Sequence, residues 1–329
     1  MKLSILDQAP IELGGSPQEA LGETIKLAAL GERLGYHRYW IAEHHDLNGL
    51  ACPAPEVMLG TIGAHTKSIR IGSGAVLLPH YKPFKIAETF NLLATLYPDR
   101  IDLGIGRSPG GSAEASIALS GNFLENVKKM PELLEELLHF LNSDFESSHM
   151  YANIKPTPIP AISPDIWLLG TSEKSAILAA EKGMPYAFGH FMSDQDPEPI
   201  IQAYKQWFKE KYPMKRYRII VAVQVICADS MQEAELIARK NYLTTIDSME
   251  DKHHLDPVPK IRAFSPEESA EFLTRKKKMI IGDPSHVKER LVDLQHSLGV
   301  DEFMVLTNTT TYKERNRSFK LIANAILEK

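Results

Sequence analysis

The sequence predicts an α/β protein built as a single (β/α)8 TIM barrel with an insertion after the seventh strand–helix unit, and three observations carry that prediction. Short apolar runs alternate with longer segments of helical spacing from end to end. Eight such pairs can be counted. The 329 residues suit one large barrel with some added sequence. Strict alternation implies a parallel sheet, and eight units is the number that closes one; an open doubly wound sheet rarely carries eight regular units.

The first apolar run is 3–6. Ser16-Pro17-Gln18-Glu19 follows as a capping-box pattern with proline at the first helical position, and Ile25, Ala28, Ala29 and Leu34 keep roughly helical spacing to Gly35. The second run is 39–42, with a helix from 55 to about 65, and the third is 69–78, with a helix over 83–96. The fourth is 101–105. A Gly/Ser-rich turn and helical sequence to about 141 come next, and Pro131 is expected to break them into two helices. Residues 166–169, 186–188 and 219–227 give the fifth to seventh strands, with helices over about 172–182, 198–211 and 231–245. The eighth strand is 303–306, and a helix over about 313–327 closes the chain.

One segment breaks the rhythm. From about 247 to 278 the sequence is polar and charged with no clear strand, and it includes Pro257, Pro259 and the basic run Arg275-Lys276-Lys277-Lys278. Connections beyond about 12–15 residues usually serve as functional lids or linkers. It is read as an insertion after the seventh unit, within one domain spanning 1–329. Gly282-Asp283-Pro284 then opens one more helix, to about 298.

Composition bounds the function class. With 43% hydrophobic and 24% charged residues the chain has an ordinary globular balance rather than a disordered one. A net charge of −5 gives no electrostatic case for nucleic acid or anionic membrane. The opening 1–6 turns polar at Asp7 and Gln8, too early for a signal-peptide core, and no stretch approaches the roughly 18 apolar residues of a membrane span. Cys52 and Cys227 form no CxxC pair and read as reduced thiols, so a cytoplasmic protein is expected.

In this fold the chemistry lies at the carboxyl ends of the strands. The second strand ends in Glu43-His44-His45-Asp46. These are acid/base candidates or a polar turn; neighbouring side chains on an extended segment point apart, which weakens a metal site. The third strand carries Gly72-Ser73-Gly74-Ala75, where missing side chains permit close approach of a ligand or simply relieve crowding. The fourth ends in Gly104-Ile105-Gly106-Arg107, without the spacing of a dinucleotide fingerprint, and Arg107 can fork onto phosphate oxygens. The fifth ends in Gly170-Thr171-Ser172-Glu173-Lys174-Ser175 at the start of a helix, where free N–H groups suit an anion or an ordinary N-cap. The fourth and fifth strands are neighbours, so the two loops together describe a pocket for one phosphate.

The ordered set resembles the bacterial luciferase-like flavin monooxygenases. It comprises Tyr39-Trp40-Ile41-Ala42-Glu43-His44-His45, the stretch 71–79, Glu88 with Asn91-Leu92-Leu93, the stretch 100–107, and the late Ile281-Gly282-Asp283-Pro284 turn. The opening Leu6-Asp7-Gln8-Ala9-Pro10 is similar to a single-chain, flavin-utilising subgroup. By this resemblance His44 is the catalytic histidine, and Gly74-Ala75 is a non-prolyl cis peptide beneath the flavin ring. Arg107 pairs with the flavin phosphate, and Gly170, Thr171, Ser172 and Ser175 form the second phosphate loop. Thr171 stands where light-emitting relatives carry glutamate, and Gly106 where they can carry a cysteine near the flavin.

The resemblance also implies a reaction. Reduced FMN, supplied by a separate flavin reductase, reacts with molecular oxygen, and the resulting peroxyflavin oxygenates a small organic substrate behind a lid that excludes water. The insertion at about 247–278 falls where the family places this mobile lid; its basic run is either a contact to flavin phosphate or, as favoured here, a solvated face. A homodimer is expected. The alternatives are a deazaflavin-dependent hydride transfer, a non-catalytic flavin-binding protein, and a metal-dependent hydrolase using Glu43, His44, His45 and Asp46.

Overall fold

The computed structural model describes residues 1–250 and 262–327, and the alternation in the sequence becomes a closed barrel. β1 (Lys2–Asp7) leads to α1 (Pro17–Arg33), β2 (Arg38–Ile41) to α2 (Pro55–His65), and β3 (Arg70–Ser73) with β4 (Val76–Leu77) to α3 (Pro83–Leu96). β5 (Ile101–Gly106) leads to α4 (Ala113–Ser120), α5 (Phe123–Lys128) and α6 (Met130–Asn142). β6 (Asp165–Gly170) precedes α7 (Glu173–Glu181), β7 (Tyr186–Gly189) precedes α8 (Pro197–Lys211), and β8 (Ile219–Cys227) precedes α9 (Met231–Glu250). α10 (Pro266–Lys276), β9 (Met279–Gly282) and α11 (Pro284–Leu298) come before β10 (Glu302–Leu306) and α12 (Tyr312–Ile326). Around the barrel the order is β1, β2, β3, β5, β6, β7, β8, β10, and parallel pairing of β10 with both β8 and β1 closes it.

Local signals set the helix starts. Ser16 caps α1 in a capping box with Glu19, and prolines sit in the first turns of α2, α3, α8, α10 and α11, where a missing N–H costs nothing. Three expectations need correction. The third strand is not continuous, because a cis peptide at Gly74–Ala75 divides it into β3 and β4. The 113–142 region holds three helices rather than two: Gly121, at φ +70°, ends α4 before Pro131 opens α6. The sequence reading places no strand between the seventh and the eighth, yet β9 follows α10, which Ser265 and Glu268 cap, and pairs along β8 from Gln224 to Cys227. Residues 251–261 of the expected lid lie outside the described residues.

Alternate residues of each strand point into the lumen, and they fill it in layers. At the amino-terminal end the layer is ionic. Asp102, fully buried, accepts from Arg38 at 2.7 Å, from the Trp40 indole at 2.9 Å and from Arg70 through two nitrogens at 2.8 and 2.9 Å. Arg38 also donates to Glu302 at 2.9 Å, and Ser4 donates to the same carboxylate at 2.6 Å. Above the ions Trp40 and Trp167 meet edge to face at 5.7 Å, in a small apolar cluster with Leu6, Ile220, Met304 and Leu306. The inward positions toward the carboxyl end are small on five strands, at Ala42, Gly74, Gly104, Gly106, Ala187, Gly189 and Ala222, while β1, β6 and β10 contribute Leu6, Leu169 and Leu306. The main core lies outside the barrel, between strands and helices.

Within this layer Asp102 is the carboxylate that Arg38 and Arg70 share, so its removal leaves both guanidiniums short of a partner. Asp102→Ala is expected to destabilise the chain by about 3–5 kcal/mol, since it leaves buried charge uncompensated. The check is the urea unfolding midpoint at unchanged slope; a shift worth less than about 1 kcal/mol would show that the layer relaxes around the loss.

Candidate active site

At the end of β2 the chain leaves the barrel through Ala42 and Glu43. Glu43 is almost fully buried, and its carboxylate is shared three ways: it accepts from the Leu77 N–H at 3.1 Å, from the Tyr81 hydroxyl at 2.8 Å and from His45 Nε2 at 2.8 Å. Burial first, and the Glu43 charge second, raise the Tyr81 pKa, so its phenol remains a donor. The backbone N–H of His44 bonds to Cys52 O at 2.9 Å and that of His45 to Gly110 O at 2.8 Å, while Ser112 donates to Asp46 at 2.6 Å. The β2 loop is thereby stitched to β4 and to the loop after β5.

His44 is left with a buried Nδ1 that has no hydrogen-bond partner. Burial, with His45 beside it, lowers its pKa to about 4, so the imidazole is neutral near pH 7. His45 is different, because Glu43 holds its ring. Among the described residues no group of three or more His, Cys, Asp or Glu side chains is arranged to hold a metal ion.

The cis peptide Gly74–Ala75 lies between these loops. The Gly74 N–H bonds to Ile41 O at 2.8 Å, and Ser73 Oγ both donates to Gly104 O at 2.9 Å and accepts from its N–H at 3.1 Å. A side chain at Gly106 would bring its Cβ to 3.1 Å from Ala75 Cβ, so glycine keeps the floor beside the cis peptide clear.

Arg107 follows β5 and is exposed, with its charge reaching the Tyr186 phenol at the start of β7. Burial raises Tyr186 to about 12, against the lowering effects of Ser175 and Arg107. Its hydroxyl lies 3.0 Å from Ser175 Oγ, and Ser175 donates to Ser172 O at 2.6 Å. Ser175 is therefore turned inward beneath the loop, with Thr171 and Ser172 at the start of α7. A Cβ at Gly170 would come within 2.1 Å of Ser175 Oγ, so glycine allows that inward turn. The predicted residues thus gather at one end of the barrel, with His44, Gly74, Ala75 and Gly106 toward its middle and Arg107 with 170–175 at its side. The sequence reading gave no role to Tyr81, Tyr186 or His80. His80 donates from Nε2 to Pro109 O at 2.9 Å and stacks on Phe123. Nothing in the local pattern marked them, because their roles depend on loops distant in sequence.

Known proteins resemble this chain over nearly its whole length. Residues 1–302 match the luciferase-like monooxygenase family. The N-acetyl-S-alkylcysteine monooxygenase of Bacillus subtilis (strain 168) is 35% identical over 99% of this chain and 98% of its own length. A luciferase-like monooxygenase of Escherichia coli (strain K12) is 34% identical over 97% of this chain and 95% of its own. Among solved structures, apo-MsnO8 aligns with a TM-score of 0.88 at 33% identity, covering 100% of this chain and 99% of that one. Two others share the fold: the oxygenating constituent of 3,6-diketocamphane monooxygenase in complex with FMN, with a TM-score of 0.75 at 21% identity over 99% and 97% of the two chains, and an F420-dependent secondary alcohol dehydrogenase, with 0.71 at 18% over 99% of both. The chain belongs to the luciferase-like monooxygenase family.

The depressed His44 pKa fixes a pH dependence. The unfolded imidazole takes up its proton near pH 6.5 and the folded one only near pH 4, so the native state binds fewer protons between these values. Stability contributed at His44 is complete above about pH 6.5 and is lost as pH falls toward about 4. An NMR titration assigned by His44→Asn should show a ring signal flat from pH 8 to about 5. A midpoint near 6.5 would mean that the ring is solvated.

Proposed function

We propose that this chain is a flavin-dependent monooxygenase. It takes reduced FMN from a separate flavin reductase, uses molecular oxygen, and oxygenates a small organic substrate. Fold alone does not decide this, since one barrel hosts many chemistries. The observation that carries the reading is the meeting, at one barrel end, of a floor without side chains and a cationic rim. The floor is Gly74, Ala75 and Gly106; the rim is Arg107 and the start of α7.

The residues fit the group. Arg107 offers a guanidinium with fork geometry for phosphate oxygens, and the first turn of α7, reached through Gly170, Thr171 and Ser172, offers backbone N–H groups at the positive end of a nine-residue helix. Ser175 supports that turn from below through Ser172 O and Tyr186. The small inward residues leave space for a flat ring above the two tryptophans. FMN, when bound, supplies the redox chemistry, and the protein supplies position and shielding. His44, neutral near pH 7, can accept a proton at Nδ1, a buried atom without a hydrogen-bond partner among the described residues. Glu43 holds His45 and the Leu77 N–H, so the backbone on both sides of His44 is fixed before any ligand arrives.

Two further features enter the proposal. Val57, Leu92 and Leu96 are exposed apolar side chains on α2 and α3, which supports a homodimer across those helices. Cys52 and Cys227 are buried and unjoined, with thiols raised to about 12 by burial, which agrees with cytoplasmic work. No helix among the described residues is long and apolar enough to cross a membrane.

The test is an anaerobic titration with reduced FMN followed by mixing with isotopically labelled oxygen and candidate substrates. Tight binding and a labelled product are expected. Preference for a reduced deazaflavin, with no oxygen uptake, would replace the monooxygenase with a hydride-transfer enzyme. Arg107→Ala should weaken reduced FMN about tenfold or more and riboflavin, which lacks phosphate, hardly at all; equal weakening would place the phosphate elsewhere. His44→Ala should retain FMN binding and lose about 10²–10⁴-fold in product formation, and an unchanged rate would remove His44 from the chemistry.

A further inference from the structure

We infer that the barrel mouth carries a pocket for an organic acid: a small carboxylate with an aryl, alkyl or thioether arm binds between β8 and the α9–α10 pair, its charge held by Arg275 and Lys278. As the substrate class of the site, this inference rests on the monooxygenase reading.

The pocket is a cavity of about 280 Å³. Gln224 lines it from β8, two residues beyond Ala222 and therefore on the same inner face. Phe191, after β7, lines it as well and packs on the apolar cluster inside the lumen. The cavity therefore opens onto the barrel mouth. β8 stands four strands round from β3 in the closed order, so the pocket faces the Gly74–Ala75 peptide across the mouth.

The lining decides the class of ligand. Tyr242, Phe272 and Met279 join Phe191 in an aromatic and thioether wall, suited to apolar or sulfur-bearing groups. Asn241, Thr274 and Gln224 add neutral polar groups, and no lining residue is acidic. Arg275 and Lys278 are the only charged lining residues among those described. Their present partners lie outside the lining: Arg275 donates to Glu271 one helical turn away at 2.7 Å, and Lys278 pairs with Asp194. Both carboxylates are well exposed, and such surface pairs contribute little, so a carboxylate in the cavity can take their place. The Arg275 guanidinium also stands 5.3 Å from the Tyr242 ring centre, which orients it along the wall.

A second observation points to a ligand independently of the charges. Tyr242 is only 4% exposed, lines the cavity, and has a buried hydroxyl without a hydrogen-bond partner of good geometry. Burial first, and then the hydrogen bond and charge of Glu271, raise its pKa, so the hydroxyl stays protonated. The Glu271 carboxylate beside it is a surface group that also serves Arg275, and an acid oxygen in the pocket can take its place as the acceptor. The apolar lining from β7 lies toward the lumen and the exposed Arg275 toward the rim. The acid group is thus held outward, and the arm is directed to the middle of the mouth.

The probes are (benzylthio)acetate and its neutral amide, (benzylthio)acetamide, titrated calorimetrically into the full chain without flavin. The acid is expected to bind at least about tenfold more tightly than the amide, as charge-assisted hydrogen bonds require. In the double variant R275Q/K278Q the preference should collapse to about threefold or less while the amide affinity holds. Y242F, which keeps ring and volume, should weaken the acid more than the amide. Equal affinity of acid and amide for the wild type, or a preference that survives R275Q/K278Q, overturns the proposal. Should the double variant fail to fold by circular dichroism, the single variants R275Q and K278Q must each lose part of the preference, and intact preference in both overturns it. A parallel titration with reduced FMN separates the two readings. Acid preference without FMN binding overturns the monooxygenase and leaves the pocket; FMN binding without acid preference does the reverse.

Discussion

A closed eight-stranded barrel has to fill its own lumen, and how it divides that filling along the axis determines where anything else can bind. Here the amino-terminal layer is an ionic lattice centred on Asp102, which joins Arg38, Arg70 and Trp40, with Glu302 and Ser4 attached through Arg38. Trp167 lies with one guanidinium, Arg38, 4.8 Å from its ring centre and another, Arg218, at 5.0 Å. These large, mutually fixed groups occupy the lower half of the barrel. On β2, β3, β5, β7 and β8 the upper half is then left to glycine and alanine, and the mouth can be deep without a hole through the molecule.

The same division explains why the loops above the mouth need their own anchor. Small residues at the strand ends offer little packing to the loops that follow them. The β2 loop is held instead by polar contacts, chiefly the three donors to Glu43 and the strand-like contact of His45 with Gly111. A buried carboxylate is costly without partners, and Glu43 has one for each direction in which it is approached. Its network joins β2, β4 and the turn carrying Tyr81, so the backbone around His44 is fixed while the His44 side chain stays unpaired. Glu43 is thus fully satisfied, and its neighbour His44 is not.

Much of this was legible before any coordinates. Strand–helix alternation gave the eight units in order, because each strand is a short apolar run bounded by turn residues and each helix has its proline or capping start. Glu43 to Asp46, Gly74, Gly106, Arg107 and 170–175 were all marked by residue type at strand ends. What local pattern could not carry was partnership. Glu43 looked like a possible metal ligand, and only the fold brings Tyr81 and the Leu77 N–H to it. Ser175 looked like a phosphate donor, whereas Tyr186, eleven residues later, turns it inward. β9 was missed because its four residues follow a basic run that reads as solvent-facing. α10 carried a readable signal in Ser265-Pro266-Glu267-Glu268, the same pattern that marked α1, but it was hidden within a segment judged by its overall polarity.

The forked pairing of β8 shows how an insertion can be added to such a barrel without opening it. β8 has nine residues, longer than any other strand. Its first part, to Gln224, pairs with β10 and completes the ring, and from Gln224 to Cys227 it pairs with β9 instead. Gln224 is the residue at which the two partners exchange. Beyond it, Ile226 and Ala228 turn to a separate apolar cluster with Ala234, Ile237, Tyr242, Phe272 and Ile281, which ties α9 and α10 to the strand. The inserted sequence is thus fixed at its far end by a β-ladder and its own small core. It stands above the mouth on the side opposite the cis peptide. A barrel whose closure is finished at Gln224 can carry added sequence beyond that residue without disturbing the ring.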